Sequence, residues 1–132
     1  MANQSFDVII IGGGPAGYPA AIRASQLGLT ACVVERDKLG GVCVNIGCIP
    51  TKALLHSAAM ANSIRKEAKE LGIEVGEVKT DYGVAMKRSR KVAEQNSKGA
   101  EFLMKKNKVT VIKGTGVLAS ATTVKVGDDV LT

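Results

Sequence analysis

Two cysteines with a lysine close behind them are the residues of this chain whose types and spacing best suit chemistry. Cys43 and Cys48 lie five positions apart in the stretch GGVCVNIGCIPTK, and Lys52 follows four positions later. A pair of thiols can form a redox-active disulfide, ligate a metal ion, or pack as unrelated core residues. A nearby ammonium group and a helix N-terminus both favour the reactive thiolate form of Cys48. The pattern favours redox chemistry, with the other two interpretations still open.

A bridge between these two thiols needs a break in regular helical geometry. Residues five apart in an ideal α-helix have Cα atoms roughly 8–9 Å apart, whereas a disulfide needs about 4.4–6.8 Å. The sequence offers such a break, because Gly47 loosens the backbone before Cys48 and Pro50 disfavours α geometry at Ile49. We therefore expect a tight loop at the start of a helix.

A metal site would need two further ligands, and only Cys32 and His56 remain as candidates. Cys32 lies in the middle of a predicted strand, which is typical of a small apolar core residue. His56, the single histidine, lies one turn beyond Lys52 and is interpreted as a packing or surface residue. The sequence therefore predicts no metal site.

A glycine-rich turn near the start of the chain is the second candidate site. Gly12, Gly14 and Gly17 match GxGxxG between a predicted strand and a predicted helix, and Glu35 ends the next strand. In such a motif the first glycine permits the tight turn, the second lets a pyrophosphate approach, and the third lets helix and strand pack closely. The helix N-terminus presents free N–H groups to phosphates, and Glu35 can accept hydrogen bonds from ribose hydroxyls. The motif predicts a dinucleotide site and leaves NAD and FAD both open.

The elements that must position these residues follow an α/β pattern. Strands are predicted over residues 6–11, 30–35 and 109–112, and helices over 15–27, about 50–71 and about 82–106, with Gly28 and Gly72 as the predicted stops of the first two helices. The first strand, a continuous β-branched run, is predicted to be buried on both faces. The first strand, helix and second strand fit in roughly 30 residues, which predicts a βαβ unit with a right-handed crossover. The segments 117–119, 122–126 and 130–132 predict a small antiparallel meander.

The fold class is therefore predicted as α/β, with a Rossmann-like βαβ unit, long helices and a small meander. The third helix has few apolar residues, which predicts one thin buried stripe of Val84, Val92, Ala93, Ala100 and Leu103. The last strand signal runs into the final residue, so we expect a truncated domain.

Composition and charge exclude several classes of partner. Apolar residues make up 45% of the 132 residues, and the formal net charge is +6, from 18 Lys+Arg against 12 Asp+Glu. With two Phe, two Tyr and no Trp, the chain is poor in the aromatic residues that single-stranded nucleic-acid binders use for stacking. The basic runs at 87–91 and 105–108 are interpreted as solvated helix surface. No apolar run is long enough to span a membrane, and three cysteines without an export signal predict a reducing, cytoplasmic location.

Three segments resemble a known family. VIIIGGGPAGYPAAIRASQLGL, VVER and GGVCVNIGCIPTKALL are similar to the N-terminal part of the flavin-dependent pyridine nucleotide–disulfide oxidoreductases. The resemblance covers essentially the whole chain, and IPTKALL is most similar to the branch that oxidises dihydrolipoyl groups, with Thr51 where serine is common. It implies that residues 1–132 are the N-terminal part of an incomplete FAD-binding domain, with the NAD-binding and dimerisation domains absent. A relative that reduces glutathione or mercuric ion, and a non-catalytic flavin-binding or redox-switch module, remain alternatives.

The same resemblance implies how the cofactor is held. FAD would lie with its pyrophosphate at Gly12, Gly14 and Gly17 and its adenosine ribose at Glu35. Lys52 would lie beside the flavin nitrogen N5. The remaining cofactor-lining positions that the resemblance implies are Arg36, Gly40, Gly41, Val42, Cys43 and, at the adenine end, Gly116.

The resemblance further implies a flavoprotein enzyme with a Cys43–Cys48 redox disulfide. Cys43, as the exposed sulfur, would exchange with the dihydrolipoyl substrate, and Cys48 would contact the flavin in a charge-transfer complex. Electrons would pass from the substrate through the disulfide and FAD to NAD⁺. Implied partners are dihydrolipoyl groups of 2-oxo acid dehydrogenase complexes or of the glycine cleavage system, and a second subunit in a full-length homodimer. The family's histidine base belongs to the missing dimer domain, so His56 does not inherit it, and the 132-residue chain alone is expected to be inactive.

Overall fold

The computed structural model describes residues 3–132 and contains two sheets and four helices among those residues. In chain order the elements are β1 (Asn3–Gln4), β2 (Val8–Ile11), α1 (Gly17–Gln26), β3 (Ala31–Glu35), α2 (Gly41–Asn45), α3 (Cys48–Lys66), α4 (Tyr82–Lys106), β4 (Thr110–Lys113), β5 (Gly116–Ser120), β6 (Thr123–Val126) and β7 (Asp129–Leu131). The predicted α/β class is confirmed. No helix within residues 3–132 combines the length and the apolar character that crossing a membrane requires.

The first sheet is parallel, with the order β2-β3-β4. The central strand β3 is buried over Ala31–Val34, with at most 4% exposure at any of these residues. The prediction that the first strand is buried on both faces is wrong: β2 lies at an edge of this sheet, and Ile11 is 50% exposed. A continuous β-branched run indicates a buried strand, but it does not specify which strand takes the central position.

The second sheet has the order β1-β7-β6-β5 and contains the predicted meander. β5, β6 and β7 are antiparallel neighbours, as expected from the turns between them. β1 was not predicted; it pairs in parallel with β7 over Asn3 and Gln4 only, which is too short for a periodic signal in the sequence.

The core lies on both faces of the parallel sheet, since side chains alternate along β3. Ala31 and Val33 face a cluster that includes Ala21 of α1 and Met104 of α4. The alternate β3 residues face the meander, and that cluster comprises Cys32, Val34, Val124, Val126 and Leu131. The helices and the meander thus hold β3 rigidly, and the end of β3 is where the candidate site begins.

The long helix α4 has the predicted bounds but a different buried stripe. Its first turn is capped by Asp81, whose Oδ1 accepts a hydrogen bond from the backbone N–H of Val84 at 3.1 Å. Val84 is 63% exposed and Leu103 is 40% exposed, so the predicted stripe is wrong at both positions. The residues buried on α4 recur every three or four positions and are Ser89, Ala93, Ser97, Ala100 and Met104. Small residues predominate in this stripe, and the two serines satisfy their hydroxyl groups on nearby carbonyls.

Two glycines were predicted to end helices, and the structure shows how each helix ends. Gly28 follows α1 with φ +89°, as a predicted helix stop should. The helix predicted over about 50–71 is α3, which spans Cys48–Lys66 and continues as turns to Gly72, where φ is +72°. The predicted stop at Gly72 therefore ends the turns, and the regular helix ends earlier.

Candidate functional site

The glycine-rich turn joins β2 to α1 and has the geometry that the motif predicts. Gly12 has φ +101°, and its N–H donates to the carbonyl of Val34 at 2.8 Å. A Cβ at Gly17 would overlap the carbonyl oxygen of Gly12 and lie 3.3 Å from the Ile10 side chain. At Gly14, by contrast, a Cβ would meet no atom within 4 Å beyond its immediate chain neighbours. The first and third glycines are therefore needed by the fold, whereas the second leaves open space beside the backbone.

Glu35 ends β3 and ties this turn to the following loop. Its Oε2 accepts from the backbone N–H of Gly13 at 2.7 Å, and its Oε1 accepts from the N–H of Asp37 at 2.8 Å. A carboxylate offers about four acceptor positions, so acceptor capacity remains for two ribose hydroxyls. The sequence motif missed Gly13, where a Cβ would lie 2.6 Å from the Leu39 side chain, because GxGxxG accepts any residue there.

A groove of about 440 Å³ opens at the carboxyl ends of β2 and β3. Six predicted cofactor-lining residues form part of its wall: Gly12, Glu35, Arg36, Gly41, Val42 and Gly116. Wall residues that were not predicted include Lys38, Asn45, Ile46 and Thr115. Gly14, Gly17, Gly40, Cys43 and Lys52 do not line it. Parallel α/β sheets typically bind ligands in this position.

The start of α2 covers the glycine turn closely. The N–H of Gly40 donates to the carbonyl of Gly13 at 2.8 Å, and a Cβ at Gly41 would lie 2.9 Å from the Cα of Gly14. Gly40 and Gly41 both have positive φ, +94° and +58°. Gly14 and Gly40 therefore adjoin the groove wall at Gly41 without lining the groove themselves.

The groove suits the chemistry of a dinucleotide. Val42 and Ile46 present apolar surface, being 69% and 70% exposed. Glu35 has free acceptor capacity of the kind that ribose hydroxyls need, and Arg36 carries a cation of the kind that binds phosphate. The open backbone at Gly14 precedes the N-terminus of α1, whose free N–H groups favour a pyrophosphate. The residues present therefore fit an FAD or NAD molecule.

A disulfide joins Cys43 of α2 to Cys48, the first residue of α3, and their Cα atoms are 4.7 Å apart. The predicted pairing is confirmed, and so is the departure from a regular helix. The break lies at Gly47, with φ −114° and ψ −117°, where a Cβ would come within 3.1 Å of the Cys43 Cα. The predicted contribution of Pro50 is wrong: Ile49 and Pro50 are both helical, because the first turn of a helix tolerates the missing N–H of proline.

The disulfide lies beside the groove, since α2 carries both Val42 in the groove wall and Cys43 in the bridge. Cys43 is half-buried and Cys48 is exposed. The expectation that Cys43 is the exposed sulfur is therefore not met in this chain, and its assignment as the exchanging thiol rests on the resemblance alone. Lys52 lies one turn after Cys48 on α3, and both it and His56 are exposed.

Cys32 is the free cysteine, and the prediction that it is a core residue is confirmed. It is 0% exposed in the centre of β3, and burial raises the pKa of its thiol to about 11. Within residues 3–132, no three His, Cys, Asp or Glu side chains come together as a metal site would require.

The burial of Cys32 predicts selective alkylation. After reduction at neutral pH, iodoacetamide should label Cys43 and Cys48, while Cys32 reacts at least about 100-fold more slowly. The Cys32 side chain is buried, and its raised pKa leaves only a very small fraction of the thiol as the reactive thiolate. Mass spectrometry of the alkylated protein measures this. In denaturant all three cysteines should react alike, and a native Cys32→Ser variant should take up the same two labels. Equal labelling of all three in the native protein would contradict the burial.

Comparison with known sequences agrees with this geometry. Residues 6–131 match a family described as pyridine nucleotide-disulphide oxidoreductase. Dihydrolipoyl dehydrogenase of Mycobacterium tuberculosis (strain H37Rv) is 55% identical over 121 residues, which are 92% of this chain and 26% of that protein. The dihydrolipoyl dehydrogenases of Chlorobaculum parvum and Corynebacterium glutamicum are 50% and 46% identical over 95% and 96% of this chain, which spans 26% and 27% of their lengths. The resemblance predicted from the cysteine and glycine motifs is confirmed: the chain belongs to the pyridine nucleotide-disulphide oxidoreductase family, whose cofactors are FAD, bound in this N-terminal region, and NAD(H).

Proposed function

We propose that this chain is the N-terminal FAD-binding and redox-disulfide portion of an enzyme that oxidises dihydrolipoyl groups and reduces NAD⁺. The observation that carries the proposal is the Cys43–Cys48 disulfide on α2 and α3, directly beside a dinucleotide groove whose wall includes Val42 of the same α2. The names of the relatives, dihydrolipoyl dehydrogenase in each case, support the substrate class.

The disulfide carries out the first half of the reaction. One thiolate of the dihydrolipoyl group attacks the Sγ of Cys43, and the bond to Cys48 breaks as Cys48 leaves as a thiolate. The second substrate thiol then closes the lipoyl disulfide and releases Cys43. The substrate gives up two electrons and two protons, and the protein holds the electrons as a dithiol. Cys48 begins the 19-residue helix α3, whose N-terminal N–H groups favour its thiolate.

The remaining residues bind and orient the cofactor in this proposal. The backbone at Gly12, Gly14 and Gly17 binds the pyrophosphate, Glu35 binds the ribose, and Lys52 neighbours the flavin. The positions Arg36, Gly40, Gly41, Val42 and Gly116 complete the cofactor site. Bound FAD supplies the two-electron acceptor that links the dithiol to NAD⁺.

The proposal extends to the whole enzyme. Residues 1–132 form part of an FAD-binding domain, and NAD-binding and dimerisation domains belong to the complete cytoplasmic homodimer. Its partners are the dihydrolipoyl groups of 2-oxo acid dehydrogenase complexes or of the glycine cleavage system.

The test uses the native polypeptide, whose intact mass shows how much chain accompanies these residues. The purified protein should be yellow and should form NADH from NAD⁺ with dihydrolipoamide. It should not oxidise NADPH with oxidised glutathione or mercuric ion. Oxidation of NADPH with oxidised glutathione or with mercuric ion would instead assign the protein to another branch of the family. A native mass near that of this chain, with a disulfide that switches without turnover, would instead support a redox-switch module.

A further inference from the structure

The basic run at 87–91 is more than a solvated helix surface, because two of its arginines donate hydrogen bonds to the backbone of the helices that carry the disulfide. Arg90 Nη1 donates to the carbonyl of Asn45 at 3.1 Å, and Arg88 Nη1 donates to the carbonyl of Ala53 at 3.0 Å. Ser89 lies between them with 0% exposure, so the two arginines flank the buried face of α4. One arginine therefore binds α2, which carries Cys43, and the other binds α3, which carries Cys48.

The other end of α2 is held by α4 as well. The buried Ser97 donates from Oγ to the carbonyl of Leu39 at 2.9 Å. Asn45 Nδ2 donates to the carbonyls of Leu39 and Gly41 at 3.1 and 2.9 Å. The start of α2 is thus held by hydrogen bonds between neutral groups. The last residue of α2, Asn45, is instead bonded to α4 through the charged side chain of Arg90.

The bond at Asn45 matters most when the disulfide is open. α2 and α3 are separate helices that meet at the non-helical Gly47, and besides the backbone itself the Cys43–Cys48 bond is a covalent cross-link over that break. The last carbonyls of a helix have no partner within the helix, so Arg90 provides a partner where α2 would otherwise fray. The Arg90 bond ties the end of α2 to α4 independently of the sulfur–sulfur bond.

We propose that Arg90 is a positioning residue of the redox centre, which keeps the Cys43 and Cys48 thiols within bonding reach in the reduced protein. The inference rests on the proposed function in taking the disulfide to open and close during catalysis. When the bond re-forms, the two thiols lose two protons and two electrons to an oxidant, which in the test below is oxidised dithiothreitol. A higher effective concentration of one thiol at the other favours the disulfide in this equilibrium.

The test measures this equilibrium in the FAD-loaded protein, with reduced and oxidised dithiothreitol in varying ratio. Rapid alkylation and mass spectrometry give the fraction of dithiol. The Arg90→Ala variant should shift the equilibrium about tenfold toward the dithiol, equivalent to ~30 mV. Arg90→Lys, which keeps a cationic donor, should recover part of the shift. Lys91→Ala, which removes the same charge from the next residue of α4, should behave as the wild type.

The outcomes separate this inference from the proposed function. Alkylation measures the fraction of Cys43 and Cys48 in the dithiol form without any turnover of substrate. A shifted equilibrium in Arg90→Ala therefore supports the inference even if dihydrolipoamide is not the substrate. An unchanged equilibrium in Arg90→Ala overturns the inference even if NADH forms normally. A shift of equal size in Lys91→Ala would show that the effect comes from the lost positive charge and not from the hydrogen bond to Asn45, and would also overturn the inference. Should Arg90→Ala unfold, Arg90→Lys takes its place: a partial shift in Arg90→Lys together with an unshifted Lys91→Ala supports the inference, and an unshifted Arg90→Lys overturns it.

Discussion

In the FAD-loaded protein, replacing Cys48 with serine should abolish the long-wavelength absorbance band that forms on partial reduction, while the flavin stays bound. The band requires a thiolate that contacts the flavin as an electron donor, and a serine hydroxyl remains protonated at neutral pH. Cys48 is suited to this role because it begins α3, where free N–H groups favour a thiolate. Visible absorbance during an anaerobic titration with dihydrolipoamide measures the band.

The Cys43→Ser variant is the matched control for that experiment. It should keep the flavin and show the band without any reductant, since the Cys48 thiolate can no longer be held in a disulfide. Both variants lose the same cross-link over a sequence separation of 5, worth about 2 kcal/mol, so a difference between them does not reflect stability. A band that survives in Cys48→Ser, or fails to appear in Cys43→Ser, would reverse the roles proposed for the two sulfurs.

The features predicted correctly from the sequence are those that local chemistry specifies. Gly12 and Gly28 occupy positive φ values at a turn and a helix end, which few other residues adopt. α4 begins at the predicted residue, Tyr82. The break between α2 and α3 that the disulfide needs was predicted from Gly47, whose backbone permits the change of direction.

The features that the sequence did not predict depend on tertiary neighbours. Ile11 and Val33 are both β-branched strand residues, yet one is 50% and the other 0% exposed, because β3 is the central strand of its sheet and β2 lies at the edge. Ser97 can be buried because its hydroxyl donates a hydrogen bond to the carbonyl of Leu39, 58 positions away in the sequence. From the sequence, Arg90 was interpreted as a solvated charge, because its hydrogen bond to the Asn45 carbonyl forms only in the folded structure. Contacts of this kind leave no periodic signal in a sequence.

The largest effects on cofactor binding are expected at the glycine turn, where two glycines should respond in opposite ways. Gly14→Ala should leave the unfolding free energy of the FAD-free protein unchanged to within about 0.5 kcal/mol, because a Cβ there meets no atom within 4 Å. It should weaken FAD binding at least about tenfold, since the methyl group would occupy the space through which a pyrophosphate approaches the backbone. Flavin fluorescence titration measures the affinity, and thermal unfolding without FAD measures the stability.

Gly17→Ala should instead destabilise the protein itself, because its Cβ would overlap the carbonyl oxygen of Gly12. Moving backbone to relieve such an overlap costs about 1–3 kcal/mol, so unfolding without FAD should fall to a lower temperature. Gly99→Ala is the control: it lies within α4, its Cβ meets no atom within 4 Å, and it should gain about 1 kcal/mol of stability with normal FAD affinity. If Gly14→Ala bound FAD as tightly as Gly99→Ala does, the pyrophosphate would not lie against this turn, and the groove would need a different ligand.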